Sequence, residues 1–256
     1  MKKFIFTVDD NIRCFKEICE RGYSSIFEHP YLDMYKGLHE KFGLRVQLNL
    51  FYECEGFCLA DMTDKYKAEF EYNADWLKMS FHSRLENVKP YKDSGYDEVF
   101  ADCSLVNREI LRFAGENSLA KTTTVHYCLA TYDGLRAIFD NGYRGLLGLY
   151  GTEAEPRSSY KSTEAECERI RQGESVTSYG IAYAGIDLIL NLFTKEEIEA
   201  NLSGLLERET IKVMIHEQYF YKDYEKYIPD FESRIEAAFC LLSENGYKSD
   251  FFENML

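Results

Sequence analysis

Three of the five histidines in this 256-residue sequence follow directly on a short apolar run, and so does a pair of aspartates. Phe4-Ile5-Phe6-Thr7-Val8 runs into Asp9-Asp10, Met79-Ser80-Phe81 into His82, Thr124-Val125 into His126, and Val213-Met214-Ile215 into His216-Glu217. A further run ends on Glu53. Aspartate and neutral histidine suit a divalent transition metal such as Zn²⁺, and a carboxylate beside that metal can accept a proton from bound water. Adjacent aspartates where a strand breaks into a loop can divide those roles, one turned to the metal and one to the water. A plainer reading makes Asp9 or Asp10 the N-cap of a helix that follows. Each strand-end histidine taken singly is more often a structural hydrogen-bonding group than a ligand. Parallel strands in one closed sheet would nevertheless gather all of these groups at one rim, where such folds build their sites.

The elements that must position them alternate along the chain. Strands are expected at Lys3–Val8, Arg45–Phe51, Leu77–Phe81, Thr122–Val125, Gly145–Tyr150, Ile211–Ile215 and Lys248–Phe252. Between them, helical periodicity covers Asn11–Arg21, Leu32–Phe42, Asp97–Phe113, Tyr132–Asn141, Lys195–Leu206 and Asp230–Asn245, several of them stopped by a glycine. This order predicts an α/β fold with a parallel sheet or barrel. The stretch 152–193 breaks the rhythm and reads as a hairpin-rich insertion, or as an antiparallel pair extending the sheet edge. No linker or repeat divides the chain, so residues 1–256 are expected to form a single domain.

Composition narrows the function. With 44 acidic and 30 basic side chains the net charge is −14, which repels phosphates and makes DNA or RNA an unexpected partner. The N-terminal MKKFIFTVDD is too short in its apolar part for a signal peptide, and no later stretch resembles a membrane span. Eight cysteines without a Cys-x-x-Cys fit a reduced, cytoplasmic setting; Cys54 and Cys58 lack the second pair that a zinc knuckle needs. The glycines around Gly145 and Gly148 form no phosphate-binding pattern. Downstream of His216 the aromatics Tyr219, Phe220, Tyr221, Tyr224 and Tyr227 offer flat faces that suit a sugar ring, and core packing explains them equally well.

Taken together, Thr7-Val8-Asp9-Asp10, His82-Ser83 and Met214-Ile215-His216 resemble the motifs of the polysaccharide deacetylases, the NodB-like family of carbohydrate esterases. That resemblance implies a distorted seven-stranded (β/α) barrel carrying the hairpin insertion. It implies Asp9 as catalytic base, His216 as general acid, and Asp10 and His82 as metal ligands. The family's His-Ser/Thr-x-x-His motif has its second histidine where this chain has Glu86, which makes Glu86 the third expected ligand. An anionic ligand there favours harder ions, so Mn²⁺, Co²⁺ or Ni²⁺ stand beside Zn²⁺. His126 could fill the same coordination place or donate to a substrate oxygen, and it joins Glu53, Tyr91 and Tyr219 as expected substrate contacts. An Arg-Pro-aromatic motif of the family is echoed by Lys89-Pro90-Tyr91, with Lys in place of Arg. The activity implied is metal-dependent deacetylation of a carbohydrate-like small molecule or oligosaccharide. Two rivals remain: a silent barrel that binds a glycan or small metabolite in the same cleft, and a metal-free glycosidase using Glu53 and Glu217.

Overall fold

Alternation along the first strand sets the architecture. In β1 (Lys3–Asn11), Phe4, Phe6 and Val8 join the large core beneath the helices, while Ile5, Thr7 and Asp9 point the other way. The computed structural model describes residues 1–86, 91–151, 160 and 162–256. In it the remaining strands are β2 (Val46–Cys54), β3 (Phe57–Cys58), β4 (Leu77–Leu85), β5 (Thr122–Thr123), β6 (Gly145–Gly148), β7 (Val176–Ser178), β8 (Ile181–Gly185), β9 (Leu188–Ile189), β10 (Thr210–His216) and β11 (Lys248–Asp250). The helices are α1 (Arg13–Arg21), α2 (Pro30–Phe42), α3 (Lys67–Tyr72), α4 (Tyr96–Phe113), α5 (Tyr132–Asp140), α6 (Glu164–Arg171), α7 (Lys195–Ser203) and α8 (Phe231–Glu244).

Two sheets make the wall. One runs β3-β2-β1-β10-β9 with β4 on β2 and β11 on β1; the other runs β5-β6-β8-β7. Pairings among β1, β2, β4 and β10 are parallel, as are β5-β6-β8. A parallel bridge between Met79 and Leu119 joins the two sheets at one seam. This is the α/β barrel expected from the alternation, interrupted rather than evenly closed.

Its interior is layered. Ile5, Leu147, Ala182, Ala184 and Phe252 form a small apolar cluster apart from the main core, and so plug the end where the strands begin. Above the plug sits a buried polar layer. Gln47 Nε2 donates to Asn49 Oδ1 at 2.8 Å and to the Thr122 carbonyl at 2.9 Å, and Thr122 Oγ1 returns a bond to Gln47 Oε1 at 2.8 Å. Ser80 adds bonds to Asn49 and Thr123. A network satisfied in this way fixes the strands' mutual positions, because each unmade bond would leave a buried polar group unpaired. Asp9 and His82 lie at the next level, at the carboxyl ends of the strands.

Several expected boundaries move. Strand β1 continues through Asp9, Asp10 and Asn11, and α1 begins only at Arg13, with Ile12 at the cap and no side-chain cap from either aspartate. The buried Glu217 carboxylate does that work from the end of the neighbouring strand β10, accepting the amides of Ile12, Arg13 and Cys14 at 2.6, 2.9 and 2.8 Å. In the region read as hairpin-rich, residues 152–159 and 161 lie outside the described ones, and Glu164–Arg171 is a helix closed by a Thr163/Glu166 capping box. The hairpin itself is β7-β8, and β8 pairs in parallel with β6, so it is the antiparallel pair that extends the sheet edge, the second of the two arrangements expected for this stretch.

Candidate metal centre

Three side chains converge at the rim. Asp10 Oδ1 lies 3.0 Å from His82 Nε2 and 3.3 Å from His126 Nδ1, and the two histidine nitrogens are 3.0 Å apart. Their ligating atoms all fall within 4.8 Å of one another, and all three residues are buried. Each is placed by its backbone. Asp10 sits at φ 63°, in the left-handed region, which shifts the β1–β2 register between Val8 and Asn11 and turns its carboxylate toward β4. His82 is the last residue but one of the buried part of β4, before Ser83, and His126 begins the short turn after β5. Phe51 packs on both rings, at centroid distances of 5.2 Å to His82 and 4.9 Å to His126.

Protonation suits a cation. His82 Nδ1 is hydrogen-bonded to the Thr124 carbonyl, so Nδ1 carries the proton and Nε2 turns a lone pair toward Asp10 and His126. Burial holds the His82 pKa below the ordinary histidine value, which keeps that lone pair free. Burial alone would raise the Asp10 carboxyl, yet the neighbouring His126 and His82 rings overrule it and hold it well below the usual carboxylate range whenever a proton, rather than a metal ion, lies between these groups. Converging lone pairs and a carboxylate repel one another unless a proton or a metal ion lies between them. The donor set of one carboxylate and two imidazoles therefore fits a divalent transition metal.

Two further groups flank this centre. Asp9 is register partner to His216 across the parallel β1-β10 pair. Asn49 Nδ2 donates to Asp9 Oδ1 at 2.6 Å. Burial pushes the Asp9 carboxyl well up, opposed by the Asn49 bond and reinforced by the Asp10 charge. His216 is held by Asn191, whose Oδ1 is 2.9 Å from Nδ1, leaving Nε2 as the nitrogen able to address a ligand. Burial lowers the His216 pKa against the pull of Asp10. All five residues line one cavity of about 700 Å³, together with Arg13, Cys54, Glu55, Glu86, Tyr127, Leu149, Met214, Gln218, Tyr219 and Tyr224.

The sequence-based site changes in four places. Glu86 lines the cavity but stands outside the three-residue cluster; its carboxylate accepts from Cys54 Sγ at 2.6 Å, and His126 takes the third corner. Tyr91 is buried away from the cavity, bonded to Asp102 and to the Arg84 amide, while Lys89 and Pro90 lie outside the described residues. Glu53 is an exposed residue of the β2-β3 hairpin, opposite Cys58. Glu217 is spent on the start of α1, so the Glu53/Glu217 glycosidase pair does not exist. Tyr219 does line the cavity, packed edge-on against Tyr224. Asn49, Asn191 and Gln218 join the site without having stood out in the sequence. Asn49 had a signal, since Gln47 and Asn49 interrupt an apolar strand at a period of two.

No family model matches the sequence, and no curated protein matches it. Solved structures do. The chain aligns over 99% of its length with a peptidoglycan N-acetylglucosamine deacetylase in complex with an N-oxidanyl-benzamide, covering 87% of that chain at 11% identity and a TM-score of 0.55. It aligns equally fully with the carbohydrate deacetylase Agd3, covering 53% of that chain at 9% identity and a TM-score of 0.57. A 4-alpha-glucanotransferase from Thermococcus litoralis gives a TM-score of 0.60 at 12% identity, with 40% of that longer chain covered. The fold is the (β/α) barrel of the polysaccharide deacetylases, shared with a carbohydrate transferase. Barrels of one shape host different chemistries, so the reaction must be argued from the site.

Proposed function

We propose that this chain is a metal-dependent hydrolase that cleaves an amide or ester, a deacetylation, on a carbohydrate-like substrate. One observation carries the reading: a carboxylate outside the ligand set, Asp9, stands beside Asp10-His82-His126 with a histidine at its own level on the neighbouring strand. The kinship of fold to carbohydrate deacetylases supports it.

Asp10, His82 and His126 would hold the metal, which when bound polarises the scissile carbonyl and acidifies water. Asp9 accepts the proton of the attacking water, with Asn49 fixing its other contact so that the carboxylate cannot swing away. His216, oriented by Asn191, gives a proton through Nε2 to the departing amine or alcohol. Burial moves Asp9 up from the carboxylate range and His216 down from the histidine range, drawing the two values toward each other. A raised carboxylate is the stronger base once ionised, and a lowered imidazole the stronger acid once protonated. Tyr219, Tyr224 and Tyr127 supply aromatic surface to the cavity for a sugar face.

Turnover on a panel of N-acetylated amino sugars and acetyl esters, with and without a chelator, tests this. Chelator-sensitive release of acetate is the expected result. Release that is indifferent to chelator contradicts the reading, and tight glycan binding without turnover in the metal-loaded protein selects the silent barrel instead.

A further inference from the structure

Asp10 uses only one oxygen in the cluster. Its Oδ1 faces His82 and His126, whereas its Oδ2 accepts a hydrogen bond from Gln218 Nε2 at 2.7 Å. The amide must present its NH₂ here, because its oxygen would repel the carboxylate. Gln218 Oε1 is buried and has no hydrogen-bond partner among the described residues, so the side chain's polar contacts run through its NH₂, to Asp10 and toward the Tyr224 hydroxyl.

Gln218 cannot easily move. It lies in the short turn Glu217–Phe220 directly after β10. Its neighbour Glu217 grips the amides of residues 12–14, the segment that follows Asp10, and Tyr221 Oη donates to the same carboxylate at 3.2 Å. Consecutive residues of one turn therefore hold the backbone after Asp10 and the side chain of Asp10 itself. A neutral amide suits the side-chain contact, because it satisfies one oxygen and leaves the negative charge for a cation, which a lysine or arginine would cancel.

Building on the metal reading above, we propose that Gln218 is a positioning residue that fixes Asp10 as a one-oxygen ligand and thereby sets the affinity and geometry of the metal centre. With Gln218 gone, Oδ2 is free and the carboxylate can rotate or chelate through both oxygens. Groups that orient metal ligands are typically worth about 10–100-fold in affinity.

The test is a Co²⁺ titration followed by visible absorption, on wild type and on Gln218→Leu and Gln218→Met, with melting of each metal-free protein recorded alongside. The expected result is one Co²⁺ per wild-type chain, about 10–100-fold weaker binding by both variants, and a changed absorption band at saturation. The metal-free melting temperatures should stay close to wild type. Variants that bind as tightly as wild type with the same band overturn the assignment while leaving the metal centre standing. A wild type that binds no Co²⁺ overturns the metal centre and this assignment with it. Failure of both variants to fold also overturns it, since Gln218 would then serve the fold rather than the ligand.

Discussion

Asp9 and His216 occupy the same level of adjacent parallel strands, register partners across β1 and β10, with a neutral amide side chain bonded to each. Asp9→Asn should therefore remove a proton acceptor without removing a ligand. The expected outcome is unchanged metal content and melting temperature with turnover reduced about 10²–10⁴-fold. His216→Ala should match it, with the largest loss on substrates whose leaving group most needs a proton. Steady-state kinetics on a graded series of leaving groups checks both.

Ligand identity separates His126 from Glu86. His126→Ala should weaken Zn²⁺ binding by more than about 100-fold, as expected for a member of a three-ligand set. Glu86→Gln should leave affinity near wild type, because that carboxylate is occupied with Cys54. Competition against a colorimetric chelator measures both, and the opposite ranking would restore Glu86 to the centre.

Asn49 controls when Asp9 is ionised. Its Nδ2–H favours the anion, opposing the burial that raises the pKa. Asn49→Leu removes that donor, so the Asp9 pKa should rise further. Since Asp9 must be ionised to accept a proton, the ascending limb of the pH–rate profile should move to higher pH, with activity lost first on the acid side. A limb that stays put or moves down would assign it to another group.

Glu217 should matter for the fold. Glu217→Gln replaces a carboxylate that accepts three backbone amides by a group that places an NH₂ among donors. Hydrogen bonds to charged groups are worth about 1.5–3 kcal/mol, and at about 2–4 °C per kcal/mol for a chain of this size the melting temperature should fall by roughly 5–10 °C. Differential scanning calorimetry of the metal-free protein reads this directly.

The wall of the barrel was legible because apolar runs ending in Asp9-Asp10, His82, His126 and His216 state where strands stop and where polar groups gather. What stayed hidden is relational. His126 and Glu86 were both candidates for one coordination place, and only the path of the chain after β4 and β5 decides between them. Glu217 looks like an available carboxylate in sequence, yet three amides at the end of the neighbouring strand, some two hundred residues away along the chain, consume it. The left-handed turn at Asp10 carries no glycine to announce it, so the strand runs further than its apolar residues suggest. The segment 164–171, polar and short, disappears into the stretch read as hairpin-rich because its helix is held by a capping box and by burial of Cys167 and Ile170 rather than by a long periodic pattern.

The measurement that tests the central claim most directly is the metal content of protein purified without chelators. Elemental analysis should find close to one transition-metal ion per chain in wild type and a sharp loss in His82→Ala and His126→Ala, with each variant still folded. Wild-type protein that is folded yet holds no such ion, and takes up none when Zn²⁺, Mn²⁺ or Co²⁺ is supplied, would contradict the account.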